Sequence, residues 1–467
     1  MRDYRYSIFT SAIEAKITKG ILKPGSKLPS VRSIKKEYNL STSSVQSGYD
    51  YLVFKGLVTS IPRSGYVVAA LTKVNEVSEI DLAPIARDPK FKENIVLTSV
   101  KQRAVFASLN AATPADFFVP QKLVLRTMQQ VIREKGAALL RYYPTNGTDE
   151  LRELLAKRLA GHGAQVQPEE LLITDGALQA LYIALAVTTA PNDIIAVESP
   201  CVFSVLEVIA NLGLKIIEIP VRCNEGFDTD YLKSVCSKNA VKAIVLTPNF
   251  HNPTGILMTD ERKKEVLAIA LHHNIPIIEN DIYGDLYFHH SRPSNIRNFD
   301  TSGSVITFSS FSKTIAPGIR LGWMAPGRFF SKAERMKFSL GRSVSPMNQE
   351  IITKLLGTSG YDRHLRIFRH HLKRQASQLA VQFSTYYPES TCIQVPQGGY
   401  SIWGKLPVNT DMQEFYKTCD AFGIHFTPGT TFSLTDAYDH CFRAIFSQHI
   451  TPASLEAIKT IGLSLNP

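Results

Sequence analysis

Short apolar runs alternate with helically spaced apolar positions through most of this chain. Runs at 171–174, 194–197, 215–219, 243–247, 275–279 and 304–309 are rich in Leu, Ile, Val and Ala and are bounded by polar or turn residues. Strands buried on both faces read this way. Between them, apolar residues recur every three or four positions, the helical period. The alternation predicts a mainly parallel sheet covered by helices on both faces, an α/β unit. Ahead of it, helical spacing over 121–140 ends at Tyr142-Tyr143-Pro144-Thr145-Asn146-Gly147, and another helix is expected from about Thr148. Beyond it, helical spacing over 345–382 predicts one long helix. Gly398-Gly399-Tyr400-Ser401-Ile402-Trp403 and Cys441-Phe442-Arg443-Ala444-Ile445-Phe446-Ser447 then read as strands of a smaller α+β unit.

The first 70 residues follow another pattern. Lys23-Pro24-Gly25-Ser26-Lys27-Leu28-Pro29-Ser30-Val31-Arg32 leads into a helical stretch, the break Asn39-Leu40-Ser41, a second helical stretch from Ser43 to Phe54, and Gly56. Residues 57–68 predict two short strands around a Pro/Gly-containing tip, the wing of a winged helix. These 70 residues hold eleven Lys or Arg against four Asp or Glu, so they carry +7 of the chain's formal +11. Phosphate binding needs such a field for steering and counterion release, although a solvated basic face would carry it too. The segment is similar to the GntR family of DNA-binding domains over nearly all of 4–70. That resemblance implies a double-stranded DNA partner. It places contacts on Arg32 ahead of the turn, on Thr42, Ser43, Ser44 and Gln46 at the start of the recognition helix, and on Arg63, Ser64 and Gly65 in the wing. An arginine common in relatives near the start of the recognition helix is replaced here by small hydroxyl residues, which bind phosphates and discriminate bases poorly. Gln46 could read adenine and Arg63 could enter a minor groove.

At 467 residues the chain is too long for one core. The stretch 71–109, with mixed charge, isolated prolines and weak periodicity, reads as a linker partly ordered against the unit that follows. Hydrophobic residues make up 44%, an ordinary globular share. No run reaches the roughly 18 apolar residues of a membrane span, and Met1-Arg2-Asp3-Tyr4 lacks the apolar core of a signal peptide, so a cytoplasmic protein with no membrane partner is expected. The six cysteines contain no Cys-x-x-Cys pair, which favours reduced thiols and no metal site.

The most informative stretch is Ser309-Ser310-Phe311-Ser312-Lys313-Thr314-Ile315-Ala316-Pro317-Gly318-Ile319-Arg320-Leu321-Gly322. Lys313 is a candidate Schiff-base amine and Arg320 a candidate phosphate clamp, the pair that pyridoxal 5′-phosphate (PLP) requires. Alone, the stretch is equally a solvated basic turn. It is joined by Leu246-Thr247-Pro248-Asn249-Phe250-His251-Asn252-Pro253-Thr254-Gly255 and Ile275-Pro276-Ile277-Ile278-Glu279-Asn280-Asp281-Ile282-Tyr283, both at carboxyl ends of expected strands. Ligands of open α/β sheets bind there.

With these elements in this order, residues from about 110 onward resemble the fold-type I aminotransferases. Together with the first 70 residues the chain looks like the MocR subgroup of GntR regulators. The organisation so implied is a winged helix-turn-helix at 1–70, a linker at 71–109 and an aminotransferase-like PLP unit at 110–467. Within that unit a large α/β domain would cover about 145–345 and a smaller α+β domain about 346–467. The resemblance implies that Lys313 carries PLP. Arg320, Ser310 and Ser312 would hold the phosphate with the backbone N–H groups of Ala177 and Leu178, at a helix start. Asn252 and Tyr283 would meet the ring hydroxyl, and Arg443 would grip a carboxylate of the effector or substrate. By itself, a lone arginine on a strand such as Arg443 is more often an ordinary ion-pair residue. Tyr142 would reach the phosphate of a neighbouring subunit in a homodimer; it could equally be an aromatic packed beside Pro144. In this subgroup the PLP unit senses PLP itself or a small amino compound.

Three departures stand out. The ring aspartate of relatives, three residues before the tyrosine, is Asn280, with Asp281 next door on the opposite strand face. The ring-stacking aromatic expected two residues after Pro200 is Val202, with Phe203 one place off. Leu178 stands where many relatives carry a polar phosphate ligand. These changes spare cofactor binding and weaken chemistry. Two classes of function follow: a PLP-dependent transcriptional regulator with weak or residual transamination, or a working aminotransferase that has kept a DNA-binding extension.

Overall fold

The computed structural model describes residues 6–23, 25–54, 57–61, 65–68, 82–89, 107–223, 225–289 and 291–465. The N-terminal unit packs α1 (Ser7–Thr18), α2 (Val31–Glu37) and α3 (Thr42–Phe54) against the antiparallel pair β1 (Val58–Ile61) and β2 (Gly65–Val68), in the register Val58↔Val68. Ser30 starts α2 by accepting from Ser33 N at 3.1 Å, satisfying one of the orphan amides of a helix start. Asn39, at φ +49°, makes the left-handed step between α2 and α3. Phe9, Ile34, Val45, Tyr49, Leu52 and Val58 form the core, and the rings of Tyr49 and Tyr66 stack at 4.1 Å. Gly48 lets α1 and α3 approach: a Cβ there would lie 2.3 Å from the Phe9 ring. Truncating Leu52, fully buried, costs about 2–5 kcal/mol by the usual cavity rule. In a unit of this size that is most of the stability. The helix α1 has weak amphipathic patterning and carries no clear signal in the sequence. The wing tip, with Arg63 and Ser64, lies outside the described residues.

The second unit is built on an eight-stranded sheet. In chain order its strands are β4 (Leu172–Thr174), β5 (Ile194–Ser199), β6 (Lys215–Arg222), β7 (Gly226–Phe227), β8 (Val241–Leu246), β9 (Ile277–Asn280), β10 (Val305–Ser310) and β11 (Gly322–Ala325). Their spatial order is β4-β11-β10-β9-β8-β5-β6-β7. The five strands from β10 to β6 run parallel, while β11 and β7 pair antiparallel with their neighbours. Two helices, α4 (Gln121–Lys135) and α5 (Asp149–Ala160), precede the sheet. Helices on both of its faces account for the continuous apolar runs. Ile278 belongs to the core under α6 (Gly176–Thr188) and α7 (Phe203–Asn211), whereas Ile277 belongs to the opposite core under α8 (Thr229–Lys238) and α9 (Asp260–His272).

The C-terminal part carries an antiparallel sheet of order β12 (Cys392–Gln394), β13 (Ser401–Lys405), β16 (Cys441–Ile445) and β15 (Thr427–Pro428). A separate parallel pair joins β3 (Ala107–Ser108) to β14 (Ile424–His425). The single helix expected over 345–382 is two helices, α11 (Pro346–Leu356) and α12 (Ser359–Tyr386), with α10 (Phe330–Gly341) before them. Thr358 opens the second by accepting from Gly360 N, and Gly357 before it is a poor helix former. Apolar spacing runs through the break, so periodicity alone could not reveal it. Of the expected linker, Arg87 exchanges two backbone hydrogen bonds of 2.9 Å with Ile216 of β6, and Leu82 O accepts from Tyr231 at 2.5 Å. Residues 69–81 and 90–106 lie outside the described set. The helix α3 rests against α12, where the Lys373 amine sits 5.6 Å from the Tyr51 ring.

Candidate functional site

Lys313 lies in the loop between β10 and β11, which turn back on each other with Ser310 opposite Gly322. Its amine donates to Ala112 O at 2.5 Å, and its carbonyl accepts from Tyr400. The residue keeps partial surface exposure, but its amine is surrounded by protein. Burial, with the nearby Arg443 and Arg320 charges, brings the pKa of that amine down to about 8. A lysine so placed is uncharged, and therefore nucleophilic, to a useful extent near neutral pH. The next residue, Thr314, is tied to α12: Tyr361 donates to its hydroxyl at 3.0 Å and His364 Nε2 lies 2.7 Å from its carbonyl.

One end of the site is suited to an anion. α6 begins at Gly176, φ +78°, where a Cβ would lie 2.9 Å from Arg320 Nη2. Arg320 itself takes the left-handed conformation, φ +41°, and donates to Asp175 O at 3.1 Å. Its contact with the Asp175 carboxylate is 3.9 Å long and more than half exposed, so little holds the charge back. Ser310 and Ser312 are buried nearby in the chain, with Ser312 N 3.4 Å from Ser310 Oγ. The free N–H groups of a thirteen-residue helix, which include those of Ala177 and Leu178, together with a guanidinium make a phosphate cradle.

The other end is built around Arg443. It is only 1% exposed, yet its guanidinium meets neutral oxygens: Asn252 Oδ1 at 2.9 Å, Thr427 Oγ1 at 3.0 Å and Asn110 O. Nε has no partner, and no carboxylate pairs with Arg443 among the described residues. Burial brings it down to about 10, with Tyr283 opposing. A buried cation without an anion is costly, so a carboxylate entering here would be strongly favoured. Asn252 Nδ2 also donates to Tyr283 OH at 3.4 Å, and burial pushes that phenol up to about 12.

Asn280 and Asp281 separate at the end of β9. Asn280 shares the Ile278 face, toward α6, and its Oδ1 accepts from Ile282 N at 3.1 Å. Asp281 faces the other way: its carboxylate is ion-paired with Arg292 and accepts from Asn249 at 3.4 Å. Phe203 begins α7 and packs 6.5 Å from Phe432, the ring that lies 4.8 Å from the Arg443 guanidinium. Tyr142 is 75% exposed beneath Arg342, 4.7 Å away, with no hydrogen bond to the Lys313 cluster among the described residues.

Several supporting groups escaped the sequence reading. Arg292 and Arg158 both pair with Asp285, at 2.9 and 3.2 Å. Burial alone would raise the Asp285 carboxyl, but the two guanidiniums hold it well below its usual range. Glu198 and His251 approach to 3.3 Å beside Asn252. Burial pushes Glu198 well up and His251 down to about 3, so desolvation favours the uncharged form of each. None of these spacings carries a signal in sequence, because the partners are brought together by the sheet.

At the start of α3, Ser41 Oγ lies 2.9 Å from Ser43 Oγ and 2.8 Å from Ser44 Oγ, and accepts from Ser44 N at 3.1 Å. Gln46 donates to Tyr66 OH at 3.3 Å, which ties the helix to the wing strand. Arg32, Thr42, Ser43, Gln46 and Gly65 are exposed.

The fold and the site define a winged-helix protein fused to an aminotransferase-like unit. Residues 109–460 match the aminotransferase class I and II family, and residues 9–68 match the gntR family of bacterial regulatory proteins. The chain belongs to the aminotransferase class I and II family and has the MocR architecture of GntR regulators. It is 32% identical to the uncharacterized HTH-type transcriptional regulator YjiR of Escherichia coli K12, over 98% of each chain. It is 27% identical to the HTH-type transcriptional regulator NorG of Staphylococcus aureus, covering 86% of this chain and 92% of that one. A kynurenine aminotransferase from Pyrococcus horikoshii, solved with PMP, superposes with a TM-score of 0.73 at 25% identity, covering 80% of this chain and 95% of that one.

Proposed function

We propose that this protein is a PLP-dependent, DNA-binding transcriptional regulator whose aminotransferase-like unit holds PLP and responds to PLP or to an amino compound. One observation carries the reading: an amine brought down to about 8, that of Lys313, feels the charges of both Arg320 and Arg443, and Arg443 meets no carboxylate among the described residues. The residues fit PLP. Bound there, PLP supplies an aldehyde that can exchange its lysine for an incoming amine, and a ring that draws electrons. Lys313 provides the amine, Arg320 and the start of α6 neutralise the phosphate, and Asn252 with Tyr283 orients the ring oxygen. Arg443 recognises the carboxylate of an amino acid. Asn280 would face the ring nitrogen, because Asp281 is held by Arg292.

Regulation needs the site to bias the DNA reader. The loop carrying Lys313 and Thr314 is held by the first turns of α12, and later turns of the same helix lie against α3. An effector that favours one arrangement of this helix shifts DNA affinity, and a coupling of about 1–3 kcal/mol suffices. The exposed apolar residues Leu125, Ile132, Leu140, Phe338 and Leu340, with Tyr142, support a homodimer that covers them. A bacterial regulator acting on DNA works in the cytoplasm, and no helix of the described residues is long and apolar enough to cross a membrane.

The test is DNA binding by the full chain. Mobility shifts with duplexes from the protein's own upstream region should give a dimer complex with strong salt dependence. Arg32→Ala should weaken it about tenfold without changing PLP absorbance. Unchanged affinity after deleting residues 1–70 would refute the assignment of the DNA reader.

A further inference from the structure

The helix α12 has a charge distribution that the site does not use. Over its 28 residues it holds five Lys or Arg and three His against one acid, Asp362, which is already paired with Arg158 at 2.9 Å. Arg363, Arg366, His370 and Arg374 are all exposed, and their spacing of three, four and four places them within an arc of about 80° on the helix. The opposite face, through Leu365, Phe368 and Leu372, is buried. Among the described residues, Arg363, Arg366 and Arg374 form no ion pair. A solvated helix face ordinarily mixes signs; this one is a bare cationic stripe about 16 Å long, taken at 1.5 Å per residue.

Its position matters as much as its charge. At Lys373, one residue from Arg374 and on the edge of the stripe, α12 meets Tyr51 of the recognition helix. The start of α3, where the DNA-facing residues lie, is nine residues from Tyr51, about 14 Å along the helix axis. A duplex seated on α3 therefore passes within reach of the stripe, which matches about half a helical turn of DNA.

We propose that the exposed face of α12 is a second DNA contact, binding the phosphate backbone that flanks the site read by the winged helix. This rests on the DNA-binding reading above and extends it to a surface outside residues 1–70. The contact is independent of sequence, since guanidiniums on a helix face neutralise phosphates and carry no base readout. It lengthens the footprint and steepens the salt dependence.

The experiment uses the full chain loaded with PLP and a fluorescein-labelled, mixed-sequence duplex of about 45 base pairs, with anisotropy followed between about 50 and 200 mM salt. The triple variant Arg363→Gln, Arg366→Gln, Arg374→Gln should bind about tenfold more weakly near 100 mM salt. Its log–log salt slope should fall by about 2 to 3, at about 0.9 per phosphate contact. Arg→Lys replacements at the same three positions should keep most of the slope. The control, Lys233→Gln with Lys238→Gln and Lys242→Gln, removes three exposed cations elsewhere and should leave both quantities unchanged. An unaltered slope in the α12 variant, or an equal loss in the control, would overturn the proposal. Failure of the DNA-binding reading itself looks different: the unmodified chain would bind no duplex, or would bind equally well without residues 1–70.

Discussion

Lys313→Ala should abolish covalent attachment of PLP altogether. Borohydride reduction of the loaded protein, followed by peptide mass spectrometry, should place the pyridoxyl adduct on Lys313 and find none in the variant. The natural competitor is Lys337, buried in α10 and also brought down to about 8 by burial. Among the described residues its amine meets only Arg342 O, at 3.3 Å, and no helix start with an arginine like that at Gly176 and Arg320 is described beside it. An adduct on Lys337 would therefore sink the assignment. The pH dependence separates a buried lysine from an ordinary one. Because the folded environment lowers the Lys313 amine to about 8, roughly a quarter is uncharged at pH 7.5, against about one in a thousand for an unperturbed lysine. Attachment should accelerate about tenfold per pH unit below pH 8 and level off above it. A rate still climbing at pH 10 would mean that the amine is not desolvated.

Six of the eight strands of the large sheet were legible because continuous apolar runs mark strands buried on both faces, whereas β7 and β11 were not read as strands. Chemistry at their carboxyl ends was legible for the same topological reason: Lys313, Asn252 and Tyr283 each follow a run by a few residues. What could not be read was anything depending on partners far apart in sequence. Arg443 is a lone arginine on a strand until Asn110, Asn252 and Thr427 surround it without an anion. The Arg292 and Asp285 pairing that fixes Asp281 has no local pattern. The break at Gly357 and Thr358 was hidden because two helices with one apolar phase look like one. In the N-terminal unit, the hydroxyl cluster at Ser41 to Ser44 was visible as composition, but its internal hydrogen bonds, and the bond from Gln46 to Tyr66, were not.

Asn280→Asp should raise the rate at which an added amino acid converts bound PLP to its amine form by about ten- to a hundredfold. The backbone N–H of Ile282 occupies Asn280 Oδ1, so the group left to face a bound ring would be the amide Nδ2, a donor. A donor is satisfied by an unprotonated ring nitrogen, and an unprotonated ring draws electrons poorly. A carboxylate in the same place reverses the preference: two unit charges about 4 Å apart at an effective dielectric of 20 attract by about 4 kcal/mol, near three pKa units. Only part of that reaches the barrier, hence the smaller expected factor. Asp281 cannot substitute, because Arg292 and Asn249 hold its carboxylate on the other face of β9. Asp281→Asn should accordingly cost less stability than the about 3–5 kcal/mol of a fully stranded buried charge, because Arg292 keeps its pair with Asp285, and it should have no selective effect on the conversion. Exchange of an amino compound with Lys313 requires only an accessible amine and the Arg443 end of the site, so its rate should be nearly the same in Asn280→Asp and the unmodified chain. Turnover of an amino acid and a ketoacid at an ordinary enzymatic rate, about 10 per second, by the unmodified chain would show that the ring nitrogen is not limiting. The aminotransferase reading would then displace the sensor reading.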